Sequence, residues 1–356
     1  MKNENKLLTL TAGFITTLCF AQPAGRIQSK FDFVPGEKII FFDDFSSESI
    51  GDFPLQWNTN GSGEIVTLDK FEGRWFQITK SGYYIPEIKD PFTDNFTIEF
   101  DLLIVSDAGT QVPAVFDLYI LSGDLKTPGY GSQPGQAGLK IKPDYESLFW
   151  NNWSEAREGQ GEDGHVNFVI KPMEKYHISI WVQKQRVRMY INENKVMDLP
   201  RGLQANYTYN IFRIDDNSDE TTPLISNFRM AAGLPDMRNK LLTEGKLISY
   251  GIYFDVNSDK LNPESTPSLN EIATVIKNNP AIKVKIVGHT DSDGADDLNL
   301  DLSKRRAESV KKELVLTYGI DAGRLDTEGK GETQPIAPND SGINKAKNRR
   351  VEFIKL

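Results

Sequence analysis

Several residue types and segments are scarce in this chain, and each scarcity excludes a class of protein. The only cysteine among 356 residues is Cys19, so a chain cleaved after Ala21 would have no thiol for a disulfide, a metal or catalysis. The histidines are His165, His177 and His289, and none has a partner at the i, i+4 spacing of a helical metal site. No later stretch reaches the about 18 apolar residues of a membrane helix. We therefore predict no cofactor, no metal site and no transmembrane segment in the mature chain.

Positive charge is scarcer than negative charge. Lys and Arg total 41 and Asp and Glu total 50, for a formal net charge of -9 at pH 7. Phosphate binding needs a basic face, so nucleic acid is not a predicted partner, and attachment to anionic lipid gains no support. A hydrophobic content of 38% and a charged content of 26% are typical of globular proteins, and the length suits two domains.

The first 21 residues have the features of a secretory signal peptide. A positive start precedes the apolar run Leu7–Phe20, and Cys19 and Ala21 occupy the two positions that determine cleavage. We therefore predict residues 1–21 to be a signal peptide and the mature protein to be periplasmic. Lipid modification of Cys19 is an alternative, although Leu18 is bulky where a lipidation signal prefers a small residue.

Residues 31–232 have the pattern of an antiparallel β-sandwich. Short β-branched or aromatic runs alternate with clusters of Gly, Pro, Asn and Asp, and long amphipathic helices are missing from the pattern. Many short strands at such spacing favour two packed antiparallel sheets. The clearest predicted strands are Phe96–Leu102, Ala114–Leu121, His177–Val182 and Val187–Ile191.

Several of these runs resemble the concanavalin A-like or laminin-G-like jelly rolls. The resemblance comes from the predicted hairpin Tyr176–Trp181 and Arg186–Asn192, from Asp43–Phe45 with Trp57, and from the closing strand Ile225–Arg229. It implies that residues 25–232 form a jelly-roll sandwich domain, a class whose members frequently bind sugars.

The composition changes after residue 232. Residues 233–246 are polar and are predicted to be a linker, and residues 247–356 show strands alternating with amphipathic helices, which predicts an α/β two-layer domain. The supporting positions are Leu269, Ile272, Ala273 and Ile276 for a first helix, Leu302, Ala307, Val310 and Leu314 for a second, and Ile282, Val284 and Ile286 for a strand.

The candidate binding residues lie in the stretch VGHTDSDGADDLNLDLSKRR, at residues 287–306. Asp291 is in a predicted strand-to-helix turn in which Gly294 permits a φ that other residues resist. Asp291 can accept hydrogen bonds from an ammonium group, and Arg306 can hold a carboxylate through two parallel hydrogen bonds. This pair therefore suits a small zwitterion. Taken singly, Asp291 could be a turn acid and Arg306 a surface arginine paired with Asp301 or Glu308.

The same stretch resembles the peptidoglycan-binding OmpA-like domain. The matching positions are Asp291 and the second arginine of Ser303–Ala307, supported by Tyr253–Asp255, Asn299, Gly329–Glu332 and Asn348–Arg350. The resemblance implies that Asp291 and Arg306 hold the diaminopimelate of the peptidoglycan stem peptide. It also implies that Asp255, Thr290, Asn299 and Arg350 line or brace the pocket. Of Arg349 and Arg350, one is expected to face solvent and the other to brace the site.

The predicted function is therefore non-catalytic binding of peptidoglycan at the outer membrane or cell wall, which tethers the sandwich there. In the alternative, the sandwich is a carbohydrate- or protein-binding module and the OmpA-like domain is only its anchor. Glu99 and Asp101 match two acids of the E-x-D-x-x-E signature of jelly-roll glycanases, but Ile104 replaces the third acid, so we predict no enzyme activity.

Two further features of the sandwich are open to more than one interpretation. Trp75, Trp150 and Trp153 could stack on sugars, but tryptophans of a sandwich more often pack in its core or at its edges. The acidic run Asp215–Glu220 could bind calcium, although a solvated turn is the simpler interpretation because its spacing fits no calcium-loop template.

Overall fold

In the parts of the chain that the structure describes, two antiparallel sheets with 15 strands in total face each other across an aromatic and aliphatic core. The computed structural model describes residues 30–89, 91–106, 116–125, 133–144, 146–158, 161–216, 221–234 and 236–356. In chain order the strands are β1 (Lys38–Asp43), β2 (Trp57–Thr59), β3 (Ser62–Leu68), β4 (Phe71–Lys80), β5 (Gly82–Pro86), β6 (Asn95–Ser106), β7 (Phe116–Ser122), β8 (Ala137–Pro143), β9 (Leu148–Ser154), β10 (Asp163–Val166), β11 (Lys175–Gln183), β12 (Arg186–Ile191), β13 (Asn194–Leu199), β14 (Ile211–Asp216) and β15 (Thr221–Ala232).

The eight-stranded sheet has the order β13-β12-β11-β6-β15-β4-β3, with β1 also paired to β15, and the seven-stranded sheet has the order β10-β9-β8-β7-β14-β5-β2. Successive side chains of a strand point to opposite faces, so β6 turns Phe100 into the core and Glu99 and Asp101 to the outer face. The Phe100 ring lies 6.0 Å from that of Phe212 in the opposite sheet. The predicted antiparallel β architecture is confirmed, and the outer face of the eight-stranded sheet is unusually rich in charge.

A third sheet lies in the C-terminal part of the chain. Its order is β16-β19-β17-β18, in which only the β17–β18 pair is parallel. Two long helices cover it, and a second hydrophobic cluster separates them from the strands. The elements are α1 (Met237–Leu242), β16 (Lys246–Ser249), α2 (Thr266–Asn278), β17 (Val284–Gly288), α3 (Asp296–Leu316), β18 (Leu325–Gly329), α4 (Gly342–Asn348) and β19 (Val351–Lys355).

The predicted amphipathic helices are present in this part. Leu269, Ile272, Ala273 and Ile276 form the buried face of α2, as their spacing indicates. Helix α3 lies very close to β17, because a Cβ added at Gly288 would come within 2.2 Å of the Ser303 carbonyl oxygen. This close approach brings the loop after β17 next to α3, and those two elements carry the candidate binding residues.

The predicted linker differs from an extended connection. Helix α1 lies within residues 233–246, and its Met237 and Leu241 are buried in the second hydrophobic cluster. The side chain of Asp236 accepts a hydrogen bond from the Asn239 amide at 3.0 Å and so caps the helix. Val34, before β1, is buried in the same cluster. The C-terminal core therefore includes α1 of the predicted linker and Val34 from the start of the sandwich sequence.

Candidate functional site

The candidate acid, Asp291, lies in the loop between β17 and α3 and is only 6% exposed. Its Oδ1 accepts a hydrogen bond from the Asp293 amide at 3.1 Å, which holds the carboxylate in an Asx-type turn. Gly294 has a φ of 102°, in the region that the sequence led us to expect for it. The turn therefore fixes the orientation of the carboxylate before any ligand binds.

The candidate cation, Arg306, lies on α3 and is held by backbone carbonyls. Its Nε donates to the Ser258 oxygen at 2.8 Å and its Nη2 to the Asp255 oxygen at 3.2 Å, while its guanidinium lies 4.9 Å from the centre of the Phe254 ring. Burial is the largest cause that lowers the pKa of Arg306, to about 10, so the group stays charged at neutral pH. Since a guanidinium has five N–H donors, Arg306 keeps donors for a carboxylate.

The structure distinguishes Arg306 from its neighbour. Arg305 is the arginine that pairs with Asp301, at 2.8 Å, and also with Asp259, at 2.8 Å. Within the described parts of the chain, Arg306 has no carboxylate oxygen within 4.0 Å. The surface ion pair considered for Arg306 is therefore formed by Arg305 instead.

Asn299 and Thr290 brace the loop. The Asn299 side-chain amide donates to the Asp293 oxygen at 3.1 Å and to Glu332 Oε2 at 2.7 Å. The Thr290 amide donates to the Gly331 oxygen at 3.0 Å, but its buried hydroxyl has no hydrogen-bond partner among the described residues. An unsatisfied buried hydroxyl is costly, so Thr290 has spare hydrogen-bonding capacity at the site.

Arg350 and Asp255 have different surroundings. Arg350 is buried and pairs with Glu352 at 2.8 Å. Burial opposes ionisation of Glu352, but the proximity of His289, 3.5 Å away, the ammonium of Lys246, 2.8 Å away, and the charge of Arg350 lower its pKa to about 2. Asp255 is exposed, and its backbone oxygen rather than its carboxylate contacts Arg306. Arg350 is thus the bracing arginine of the adjacent pair.

Arg349 connects the site to the sandwich, a role that the sequence left open. Its Nη1 lies 2.6 Å from Asp291 Oδ2 and its Nη2 lies 3.2 Å from Asp44 Oδ2, just beyond β1. The guanidinium also lies 5.0 Å from the centre of the Phe42 ring. One arginine therefore bridges a carboxylate of the C-terminal part and a carboxylate of the sandwich.

All the candidate residues line one cavity of about 900 Å³. The C-terminal part forms one wall, and the other wall is the outer face of the eight-stranded sheet. Asp291 and Arg306 line this cavity together, and the charge of Asp291 favours the charged form of Arg306. The predicted residues in this lining are Asp255, Thr290, Asp291, Asn299, Arg306 and Arg350.

The sandwich wall of the cavity is a network of buried charges. Arg229 pairs with Glu99 at 2.6 Å and donates to the Tyr250 oxygen at 2.8 Å, and the Tyr253 hydroxyl donates to Glu99 at 2.6 Å. His177 Nδ1 lies 2.9 Å from an Asp101 oxygen. These bonds join the outer face of the sheet to the C-terminal part.

The two acids suggested by the glycanase signature, Glu99 and Asp101, are therefore ionised and paired with cationic side chains. Burial opposes the charge on His177, but its hydrogen bond to Asp101 and the nearby carboxylate of Glu99, 3.8 Å away, raise its pKa to about 10. Burial likewise opposes the charge on Glu99, but the charge of Arg229 and the proximity of His177, 3.8 Å away, lower its pKa to about 2. Burial also opposes the charge on Asp101, but its hydrogen bond with His177 and the charges of His177 and Lys175 lower its pKa. Neither carboxyl is protonated at neutral pH, so neither resembles a glycosidase general acid.

The remaining features of the sandwich, its tryptophans and its acidic run, give less support for a ligand site. Trp75 and Trp153 are buried, so they pack within the protein rather than present a stacking surface. Asp215 is paired with Arg213, and residues 217–220 of the acidic run lie outside the described residues.

In the described ranges, no group of at least three His, Cys, Asp or Glu residues is arranged to hold a metal. None of the helices there is long and apolar enough to cross a membrane.

Comparison with known proteins bears on the C-terminal part. The family model described as the OmpA family matches residues 253–349, which include the loop, α3 and Arg349. The C-terminal part is OmpA-like. The match confirms the resemblance seen in residues 287–306, whereas the jelly-roll resemblance of the preceding sandwich stays a prediction.

Relatives of the OmpA-like part include envelope proteins. The chain is 45% identical over 102 residues to "Probable lipoprotein YiaD" of Escherichia coli, covering 29% of this chain and 46% of that protein. It is 37% identical over 105 residues to "Outer membrane porin F" of Pseudomonas aeruginosa, covering 30% of each. The chain thus spans less than half the length of these relatives. Among solved structures, the peptidoglycan-associated lipoprotein of Burkholderia pseudomallei matches 30% of this chain and 88% of its own, at 28% identity and a TM-score of 0.28.

Proposed function

We propose that this protein is a non-catalytic envelope protein that binds peptidoglycan non-covalently through the diaminopimelate of the stem peptide. The single observation that carries the proposal is the state of Arg306. It is a charged, largely buried guanidinium with unused donors, in the same cavity as the carboxylate of Asp291. A free amino acid end offers one ammonium and one carboxylate, which match these two groups.

The expected affinity of one site is modest. Hydrogen bonds to charged groups contribute about 1.5–3 kcal/mol each, and association costs offset part of that gain. A polymeric wall offers many copies of the ligand, and multivalency would convert weak single contacts into firm retention. This reasoning favours a tether over a high-affinity receptor for a soluble amino acid.

The proposal includes the organisation and location of the protein. We assign residues 1–21 to a signal peptide, 25–232 to a jelly-roll sandwich domain, 233–246 to a connection containing α1, and 247–356 to the OmpA-like domain. The mature protein is then periplasmic and associated with the outer membrane or the cell wall. The names of the relatives, an outer membrane porin and a lipoprotein, support an envelope location.

Co-sedimentation of the full chain with purified sacculi tests the binding proposal. Asp291→Ala and Arg306→Ala should each weaken single-site binding about 10- to 150-fold, which corresponds to one lost charge-assisted contact. Arg305→Ala is the matched control, because this neighbouring arginine pairs with Asp301 and Asp259 instead. Equal sedimentation of all the variants and the wild type would refute the assignment.

In the alternative function, the sandwich binds a ligand of its own and the wall only anchors it. Binding assays on the whole chain distinguish this alternative from the proposed function. Binding of a glycan that survives Arg306→Ala would give the sandwich a ligand of its own. Release of soluble fragments from sacculi during incubation would instead indicate an enzyme, and we expect none.

A further inference from the structure

Asp44 of the sandwich shares an arginine with the acid of the proposed binding site. Arg349 lies 2.6 Å from Asp291 Oδ2 and 3.2 Å from Asp44 Oδ2. The other oxygen of Asp44 accepts hydrogen bonds from the amide and the hydroxyl of Ser46, at 3.1 Å and 2.6 Å. Asp44 is therefore held by its own turn with one oxygen directed to Arg349.

The charge of this group decides whether Asp291 can attract a cation. Asp291 and Asp44 carry two negative charges and Arg349 carries one positive charge, so the triad has a net charge of about -1. The nearby Asp293 is matched separately by Lys345, at 2.7 Å. Without Asp44, Arg349 would neutralise Asp291, and an ammonium group would meet a neutral pair.

We propose that Asp44 is a positioning residue of the ligand pocket, which makes the pocket a joint product of the sandwich and the OmpA-like part. Because Asp44 and Asp291 share Arg349, the arginine compensates the charge of Asp291 only in part. Asp291 therefore still attracts the ammonium group of the ligand. Asp44, Asp291 and Arg306 line the same cavity, which gives the ligand both walls. This inference rests on the proposed function.

Asp44 acts through Arg349, so the test must separate a change of charge from a change of shape. A diaminopimelate-containing stem tripeptide is titrated calorimetrically into four full-length proteins: wild type, Asp44→Asn, Arg349→Gln and the double variant. Asp44→Asn should weaken binding about three- to tenfold, since the triad becomes neutral. The double variant restores the net charge of -1 and should bind within about threefold of wild type.

Two controls exclude a structural explanation. The same tripeptide acetylated on its free side-chain amine should show no difference between wild type and Asp44→Asn, because it has no ammonium there. Asp198→Asn removes a carboxylate from the exposed pair Asp198–Arg186 elsewhere on the sandwich and should leave tripeptide binding unchanged.

The outcomes distinguish this inference from the function on which it rests. If Asp44→Asn binds like wild type while Asp291→Ala loses binding, the role of Asp44 is refuted and the proposed function stands. A double variant that binds no more tightly than Asp44→Asn would also refute it, because charge restoration would have failed. If wild type does not bind the tripeptide, the proposed function and this inference are both overturned.

Discussion

The Glu99–Arg229 pair gives the sharpest stability prediction. Both side chains are buried, at 2% and 10% side-chain exposure, and their charges are 2.6 Å apart. Glu99→Gln keeps the shape but leaves Arg229 without its carboxylate and His177 without one of its two. Removing one partner of a buried ion pair typically costs about 3–5 kcal/mol, because the remaining charge is desolvated and uncompensated.

The magnitude can be tested against an exposed pair of the same kind. At about 2–4 °C per kcal/mol for a unit of 150–250 residues, Glu99→Gln should lower the melting temperature by roughly 6–20 °C. Asp198→Asn breaks the exposed Asp198–Arg186 pair, whose side chains are 30% and 48% exposed, and should cost less than about 1 kcal/mol. Circular dichroism melts at pH 7 measure both. Equal, small shifts for the two variants would refute the view that the network between sandwich and OmpA-like part is desolvated.

Four further predictions concern pH, packing and the binding arginine. The pKa of His177 rises from 6.5 to about 10 on folding, so the contribution of His177 to stability should be complete below pH 6.5 and disappear as the pH rises through 10. Urea titrations at a series of pH values measure this, and a free energy of unfolding that does not fall at alkaline pH would contradict it. Glu99, with a pKa lowered from 4.5 to about 2, should lose its contribution as the pH falls from 4.5 through 2, measured by the same titrations. Gly288→Ala should destabilise the protein by about 1–3 kcal/mol, because its Cβ would meet the Ser303 oxygen; an unchanged urea midpoint would count against the close approach. Arg306→Lys should weaken sedimentation with sacculi, since an ammonium cannot form two parallel bonds; full retention would show that charge alone suffices.

The local pattern was sufficient for the elements that carry the site. The apolar spacing of Ala307, Val310 and Leu314 predicted α3, and these residues are buried as expected. Periodicity is local information, since it depends on the geometry of one helix or strand. The expected linker, residues 233–246, differs most from the structure, because it contains helix α1. Met237 and Leu241 are four residues apart, which is the spacing of a buried helical face.

The adjacent arginines show where such reasoning stops. Arg349 and Arg350 come just before β19, and alternation along an extended chain implies that they point in opposite directions. It does not tell which of them faces the cavity. The structure shows Arg350 buried against Glu352, whereas Arg349 contacts Asp291 and Asp44.

The sequence by itself determined the OmpA-like character of the last third and the β-rich character of the preceding part, and it named six candidate residues that line one cavity in the structure. Only the tertiary structure decided that the outer face of the eight-stranded sheet forms the second wall of the cavity. Asp44 and Arg349 are 305 positions apart in the chain. Contacts over such a separation depend on how whole sheets and helices pack, and no local periodicity or motif records that packing.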